Sequence, residues 1–243
     1  MAKKYSETHQ IPSYNCDTMK NIKIPTMVRM LITISGAQSQ SLGVSDDFVG
    51  SFNLGWIIIQ HDVFIKRLPQ SGETITLTTE AESYNRFFCY RNFWIHDEAG
   101  NECVLMKTTF ALMDLVERKM GSVLDEIIAP FESEKIKRVK RAEKIHSLEA
   151  VEGEKAYAVR YYDIDGNKHV NNSVYLDWMM DAFDFNFLSH HIPETISIKF
   201  NKEMRYGDVA KSQWQKEGLN SIHQIVSGDT VNAEANVKWG ETN

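Results

Sequence analysis

Two stretches of the chain place apolar residues at the spacing of an amphipathic helix. The first follows a polar segment that ends near Ile22, and its apolar positions run from Ile24 to Ala37, before Gly43. The second begins at Ser173 and ends near Leu188. Apolar residues three and four positions apart share one face of a helix. Each helix is therefore expected to lie against a sheet.

Segments rich in Ile, Val, Thr, Phe and Tyr follow the first helix and flank the second, and they predict antiparallel strands. The sequence DEAGN at 97–101 predicts a hairpin turn between two of these strands. The predicted strands are Trp56–Ile65, Thr74–Ala81, Tyr84–His96, Glu102–Asp114, Ala156–Tyr162, Thr195–Lys202, Val209–Lys216, Ser221–Val226 and Thr230–Trp239.

The order of elements in the first half returns in the second half. Gly72-Glu73 and Gly207-Asp208 stand at corresponding places, each at the start of a strand. One long helix wrapped by a bent antiparallel sheet is the hotdog arrangement. We therefore predict an α+β fold with two hotdogs in tandem. The first should span residues 1–129 and the second residues 151–243, and the charged segment 130–150 should link them.

Composition limits the kinds of function that this chain can have. Its 243 residues are 42% hydrophobic and 25% charged, enough to bury a core in one large or two small domains. A net charge of −6 argues against bulk attraction to nucleic acid. The start, MAKKYSETHQ, lacks an apolar region, and no uncharged apolar run is long enough for a membrane span. Cys16, Cys89 and Cys103 are an odd number without metal-ligand spacing, and they are few for a fold built on disulfides. We therefore expect a cytoplasmic protein with no metal or cofactor.

The segment YYDIDGNKHVNN at 161–172 carries the strongest chemical signal, between a predicted strand and the second helix. Asp165, Asn167 and His169 alternate along it, so an extended or gently turned backbone would direct their side chains the same way. Asn172 is a good N-cap for the helix. The free N–H groups at the start of that helix would then face a developing oxyanion.

These three side chains have suitable roles in the hydrolysis of an acyl thioester. His169 can take a proton from water, Asp165 can orient the imidazole or stabilise its charged form, and Asn167 can donate to the thioester carbonyl. The alternative is a polar turn with an N-cap, in which these residues serve only the backbone.

The longer string DIDGNKHVNNSVYLDW at 163–178 is similar to the signature of the acyl-acyl carrier protein (acyl-ACP) thioesterases of bacteria and plants, a double-hotdog family. The resemblance implies hydrolysis of fatty acyl-ACP to free fatty acid and carrier protein, which ends chain elongation. It also implies that the carrier protein is a partner and that the first half forms the acyl-chain pocket.

A second segment of the family resembles IKFNKEMRYGD at 198–208, where plant members have an acidic residue followed by a cysteine. The resemblance puts Glu203 at the acidic position and Met204 at the cysteine position. Because a thioether cannot be deprotonated to a nucleophile, the reaction must use a carboxylate or water. Glu203 is then either a base or a nucleophile activated by Asp165 and His169, unless it is simply a solvated glutamate on a strand.

Several alternatives remain open from the sequence. The basic run Lys135–Lys144 either docks the acidic carrier protein or forms a solvated linker. The substrate is either acyl-ACP or acyl-CoA, and a hotdog protein that binds acyl groups without turnover is a third interpretation. A tandem hotdog can be complete as a monomer, and a homodimer is the other expected state.

Overall fold

In the computed structural model, which describes residues 2–242, 12 strands form one antiparallel sheet apart from a short parallel pair. The helices are α1 (Ile24–Ser41), α2 (Asp46–Gly50), α3 (Asp125–Ile128), α4 (Asn172–Met180) and α5 (Phe185–His190). The strands are β1 (Lys4–Gln10), β2 (Leu54–Ile65), β3 (Thr74–Tyr84), β4 (Phe88–His96), β5 (Glu102–Asp114), β6 (Met120–Gly121), β7 (Glu134–Lys135), β8 (Gly153–Ala158), β9 (His191–Phe200), β10 (Val209–Glu217), β11 (Asn220–Ser227) and β12 (Thr230–Glu241).

The strand order is the same in the two halves when each is read from the centre of the sheet outwards. It runs β2, β5, β4, β3 and β1 on one side, and β9, β12, β11, β10 and β8 on the other. The central pair is antiparallel, with Gln60 opposite Lys199 and Phe64 opposite Thr195. Backbone groups that would form an exposed edge in either half alone are therefore paired within one chain.

The long helix of each half packs into one continuous core. Met27, Leu31 and Ile34 of α1 are buried, as are Tyr175 and Met179 of α4, and α1 contacts α4. Removal of these side chains from water is the main favourable term that holds the helices against the sheet. The fold is thus the predicted α+β tandem hotdog, with both helices at the junction of the halves.

The prediction of one helix from Ser173 to Leu188 is wrong. Helix α4 ends at Met180, and α5 begins at Phe185. The carboxylate of Asp184 accepts a hydrogen bond from Phe187 N–H at 2.7 Å and so caps a new helix. This strong N-cap breaks an otherwise continuous apolar pattern.

Strand β1 lies in the segment that reads as merely polar in the sequence. It pairs with the edge strand β3, and its residues alternate between exposed and half-buried. An edge strand with little apolar burial leaves a weak hydrophobic pattern.

The boundary between β3 and β4 also differs from the prediction. At the start of β4, Asn85 Oδ1 accepts hydrogen bonds from Phe87 and Phe88 N–H, both at 3.0 Å. The chain turns there, so Tyr84 belongs to β3.

Strands β8 and β9 in the second half also have boundaries that differ from the prediction. Strand β8 ends at Ala158, because residues 161–163 form a short 3-10 turn. Strand β9 begins at His191 and ends at Phe200, so Glu203 follows the strand and does not lie within it.

The charged segment between the halves has neither helix nor strand from residue 136 to 152. It is nevertheless bound to the sheet: Gln60 Nε2 donates to Glu143 O at 2.9 Å, and Asn236 Nδ2 donates to Lys144 O at 3.2 Å. The segment therefore crosses β2 and β12. The division at 130–150 stays a prediction. Within residues 2–242, no helix is both long and apolar enough to cross a membrane.

Candidate active site

Among the predicted site residues, His169 and Glu203 are the pair whose side chains contact each other. Nε2 of His169 lies 3.0 Å from Oε2 of Glu203, and the two side chains are 18% and 37% exposed. The same oxygen, Oε2, accepts a hydrogen bond from Arg118 Nη2 at 2.6 Å. In the described part of the chain, the polar contacts of this carboxylate all end on Oε2. Oε1 therefore has no polar contact within residues 2–242.

Two hydrogen bonds, made by the residues that follow His169 and Glu203 in the chain, hold this pair together. Val170 N–H donates to Met204 O at 2.9 Å, and Met204 N–H donates to the phenol oxygen of Tyr175 at 3.1 Å. Burial raises the pKa of Tyr175, so its phenol stays neutral at physiological pH. These hydrogen bonds hold the segment after β9 against the start of α4, and they bring Glu203 beside His169.

Asp165 and Asn167 lie on a tight turn, which the sequence pattern indicated only as the alternative to a converging polar trio. Asp165 N–H donates to His169 O at 2.9 Å, and Lys168 N–H donates to Asp165 O at 3.0 Å. Asp165 Oδ1 accepts a hydrogen bond from the backbone N–H of Asn167 at 2.8 Å, and Asn167 is exposed. The backbone is not extended, so alternation along the sequence does not direct the three side chains to one point.

The N-cap of α4 is Asn171 and not Asn172, which is the first residue of the helix. Asn171 Oδ1 accepts hydrogen bonds from the N–H and the hydroxyl of Ser173 at 3.0 and 2.7 Å. Arg29 Nε of α1 donates to Ser173 Oγ at 2.6 Å. The first turn of α4 is therefore fixed by its own cap and by the helix of the other half.

The sulfur groups lie away from this pair. Met204 is fully buried, although it directly follows Glu203. Cys16, Cys89 and Cys103 are free and buried, and burial raises the pKa of Cys89 to about 12. A buried thiol that resists ionisation is a poor nucleophile.

The first half contains a turn at residues 17–21, before α1, that matches the turn carrying Asp165, and we call it the duplicate. Lys20 and Lys168 both have φ +66°. Asp17 N–H donates to Asn21 O at 2.8 Å, as Asp165 N–H does to His169 O at 2.9 Å. The duplicate therefore places Asn21 where the second half has His169.

The residue after the duplicate is also hydrogen-bonded to the segment that follows β2. Ile22 N–H donates to Pro69 O at 2.8 Å, in the same way that Val170 N–H bonds to Met204 O. This match puts Leu68 where the second half has Glu203. The first half has kept the backbone arrangement of the site without its imidazole and carboxylate.

A surface cavity of about 890 Å³ lies at this duplicate and not at His169 and Glu203. Met19, Asn21, Leu68 and Gln70 line it, together with residues of β9 and β12. Two of its basic groups are paired, because Arg67 binds Glu73 at 2.9 Å and Lys66 binds Glu102 at 2.9 Å. Cavity size alone would therefore point to the half of the molecule without the acid-base pair.

Arg118 is the residue near the site that sequence reasoning missed. It lies in the turn between β5 and β6, in the other half of the chain from Glu203. The sequence gives no local signal for this contact, since it depends on how the halves pack together. Among residues 2–242, no group of three or more His, Cys, Asp and Glu side chains is arranged to hold a metal ion.

Comparisons with known proteins agree with the fold and with the family that the sequence resembles. Residues 2–131 match the acyl-ACP thioesterase N-terminal domain, and residues 146–241 match the C-terminal domain. The oleoyl-acyl carrier protein thioesterase of Coriandrum sativum is 25% identical over 86% of this chain and 61% of its own length. The chain spans about three fifths of the length of the first curated relatives that it matches.

Two solved structures have the same architecture. A Lactobacillus plantarum protein, assigned as an oleoyl thioesterase, superimposes with a TM-score of 0.96 at 31% identity, over 100% of this chain and 98% of that one. The 12:0-ACP thioesterase of Umbellularia californica gives a TM-score of 0.86 at 18% identity, with 98% of each chain covered. At that identity the second comparison supports the fold alone.

Proposed function

Since the chain belongs to the acyl-ACP thioesterase family, we propose that it hydrolyses fatty acyl-ACP to free fatty acid and carrier protein and so ends chain elongation. The observation that carries this proposal is the 3.0 Å contact between His169 and Glu203, beside the turn of the signature motif. An imidazole and a carboxylate at hydrogen-bond distance can activate water without a thiol.

Glu203 is the proposed general base. Because its Oε2 contacts His169 and Arg118, Oε1 is the oxygen that takes a proton from water. The water oxygen then bonds to the thioester carbonyl carbon. When the C–S bond breaks, the departing thiolate receives that proton, and the products are a fatty acid and the carrier thiol.

A direct attack by Glu203 on the carbonyl is the second route, and it would form an acyl anhydride. Turnover in ¹⁸O-labelled water separates the two routes. A base leaves the Glu203 carboxylate unlabelled, whereas hydrolysis of an anhydride at its glutamyl carbonyl introduces label into Glu203.

Asn167 is the proposed donor to the oxyanion, because the cap of α4 already binds the N–H groups of Ser173 and Val174. The side-chain amide of Asn167 is exposed on a turn that the bond from its backbone N–H to Asp165 holds in place. Donors that are already in place when charge develops stabilise the transition state strongly. Asp165 is assigned to holding the turn that presents His169, because Asp17 forms the same turn in the half without an imidazole.

The first half is the proposed binding site of the acyl chain. Trp56 and Phe110 are only half-buried, on the paired strands β2 and β5, with ring centroids 6.2 Å apart. In this proposal residues 1–129 bind the acyl chain, residues 151–243 contain the catalytic residues, and residues 130–150 link the two parts. The proposed setting is the cytoplasm, as a monomer or homodimer, and no cofactor is required.

The carrier is tested by offering the same acyl chain on ACP and on CoA and measuring free thiol release. Higher kcat/KM on acyl-ACP supports the proposal, and a preference for acyl-CoA would make the chain an acyl-CoA thioesterase. Tight binding of acyl-ACP without any thiol release would identify a non-catalytic acyl-binding protein.

A further inference from the structure

The ion pair between Arg118 and Glu203 joins the two halves of the molecule at the proposed base. Arg118 Nη2 lies 2.6 Å from Glu203 Oε2, the oxygen that also contacts His169. Arg118 is 48% exposed. The carboxylate is therefore held between a guanidinium from the first half and an imidazole from the second.

The turn that carries Arg118 is fixed by its own hydrogen bonds. Asp114 Oδ1 accepts from the N–H groups of Val116 and Glu117 at 2.9 and 2.8 Å, and Arg118 N–H donates to Asp114 O at 2.9 Å. Asp114 N–H in turn donates to Lys119 O at 2.8 Å. The guanidinium thus projects from a rigid hairpin end and not from a loose loop.

Stability alone does not account for an arginine at this position. Arg118 has φ +55°, a left-handed conformation that favours Gly, Asn or Asp. An exposed ion pair contributes little to the stability of a fold. The contribution of this ion pair to stability is therefore small, and its contact with the proposed base is the observation that points to a functional task.

We propose that Arg118 is a positioning residue for Glu203, an inference that rests on the proposed function. By binding Oε2, Arg118 holds the carboxylate against His169 and directs Oε1 toward the water that attacks the thioester. A small displacement of a catalytic group can cost about 100-fold in rate. The active site then depends on both halves, although its base and imidazole come from one.

The test compares Arg118→Ala, Arg118→Lys and Lys119→Ala. The control residue lies on the same turn, and its amino group is 3.7 Å from Glu117. We expect Arg118→Ala to lower kcat by about 10-fold to 100-fold with KM nearly unchanged. Arg118→Lys should regain part of the loss, and added guanidinium should rescue Arg118→Ala but not Glu203→Gln. Lys119→Ala should match the unsubstituted protein.

A second substrate separates positioning from recognition of the carrier. An acyl-N-acetylcysteamine thioester carries neither phosphate nor protein, so the loss on it should equal the loss on acyl-ACP. A loss confined to acyl-ACP, expressed in KM, would overturn the proposal and make Arg118 a contact for the carrier.

A crystal structure of Arg118→Ala tests the contact without any assay of activity. We expect the Glu203 carboxylate to leave His169 Nε2. If Glu203 keeps its place in that variant, the proposal is wrong, whatever the substrate. Absence of hydrolysis by the unsubstituted protein on every thioester would instead refute the proposed function.

Discussion

Nε2 of His169 and Oε2 of Glu203 lie 3.0 Å apart, one on the turn that precedes α4 and the other after β9. The backbone bond from Val170 to Met204 brings them together. The first half has the corresponding bond from Ile22 to Pro69, but it lacks both the imidazole and the carboxylate. The same backbone frame therefore occurs twice, and only the side chains of the second copy can do acid-base chemistry.

The duplicate leads to a prediction about Asp165. Asparagine can accept the same hydrogen bond from Asn167 N–H, so Asp165→Asn should keep the turn and lose less than about tenfold in kcat. Asp165→Ala removes the acceptor and should lower the free energy of unfolding by about 1 kcal/mol. Steady-state kinetics and urea unfolding measure the two effects. If Asp165→Asn is as inactive as Glu203→Gln, the charge of Asp165 takes part in the chemistry.

Activity should not depend on any thiol. The three cysteines are buried, and desolvation raises the pKa of Cys16, Cys89 and Cys103 alike. Treatment of the folded protein with iodoacetamide should therefore leave kcat/KM within about twofold, because buried thiols that resist ionisation react slowly. Mass spectrometry reports which cysteines are modified. Inactivation in step with alkylation of one cysteine would show that a thiol is required.

Two buried histidines should make the fold sensitive to acid. Burial lowers the pKa of His61 and of His223 from 6.5 to about 3. Between these values the unfolded chain binds protons that the folded protein does not, so the free energy of unfolding falls as pH drops from 6.5 toward 3. Each histidine contributes a slope of about 1.4 kcal/mol per pH unit in the middle of this range.

The variant His61→Gln isolates one of these contributions. Glutamine can keep the hydrogen bond that His61 Nδ1 makes with Thr108 Oγ1 at 2.8 Å. Urea unfolding at pH 6, 5 and 4 should show a pH dependence that is shallower than that of the unsubstituted protein by about 1.4 kcal/mol per pH unit. Equal slopes in the two proteins would mean that His61 is already protonated in the folded state.

The basic run Lys135–Lys144 provides a test of carrier docking. Lys140 pairs with Glu82 at 2.8 Å, whereas Arg138 and Arg141 are exposed. Reversal of Arg138 and Arg141 to Glu should lower kcat/KM on acyl-ACP about tenfold at low salt, and less at high salt, because steering of an acidic partner is screened by ions.

The matched substrate for this test is the acyl-N-acetylcysteamine thioester, on which the double variant should be unchanged. If kcat/KM on acyl-ACP is also unchanged, the run is a solvated linker. If both substrates are affected equally, the substitutions have damaged the fold.

The sequence predicted the fold better than it predicted the local geometry of the site. Alternating and helical apolar patterns are sufficient for the tandem arrangement, because burial on one face decides each element. The edge strand β1 and the break between α4 and α5 were missed, since one has few apolar residues and the other depends on the cap formed by Asp184.

The motif predicted His169 and the second segment predicted Glu203, and the structure places these two side chains 3.0 Å apart. The turn at Asp165 was only the alternative prediction, because alternating polar residues fit an extended backbone as well as a turn closed by the Asp165 side chain. Arg118 could not be found from sequence, since its contact with Glu203 exists only after the halves have packed.

Glu203→Gln tests the central claim most directly, with Glu194→Gln as a matched control at the cavity of the duplicate. Thiol release from acyl-ACP should fall by about 100-fold to 10,000-fold in Glu203→Gln, with KM and the unfolding transition unchanged, since an amide keeps the shape of the carboxylate but cannot take the proton. Glu194→Gln should retain full activity. Hydrolysis by Glu203→Gln at the rate of the unsubstituted protein would contradict the assignment of Glu203 as the base.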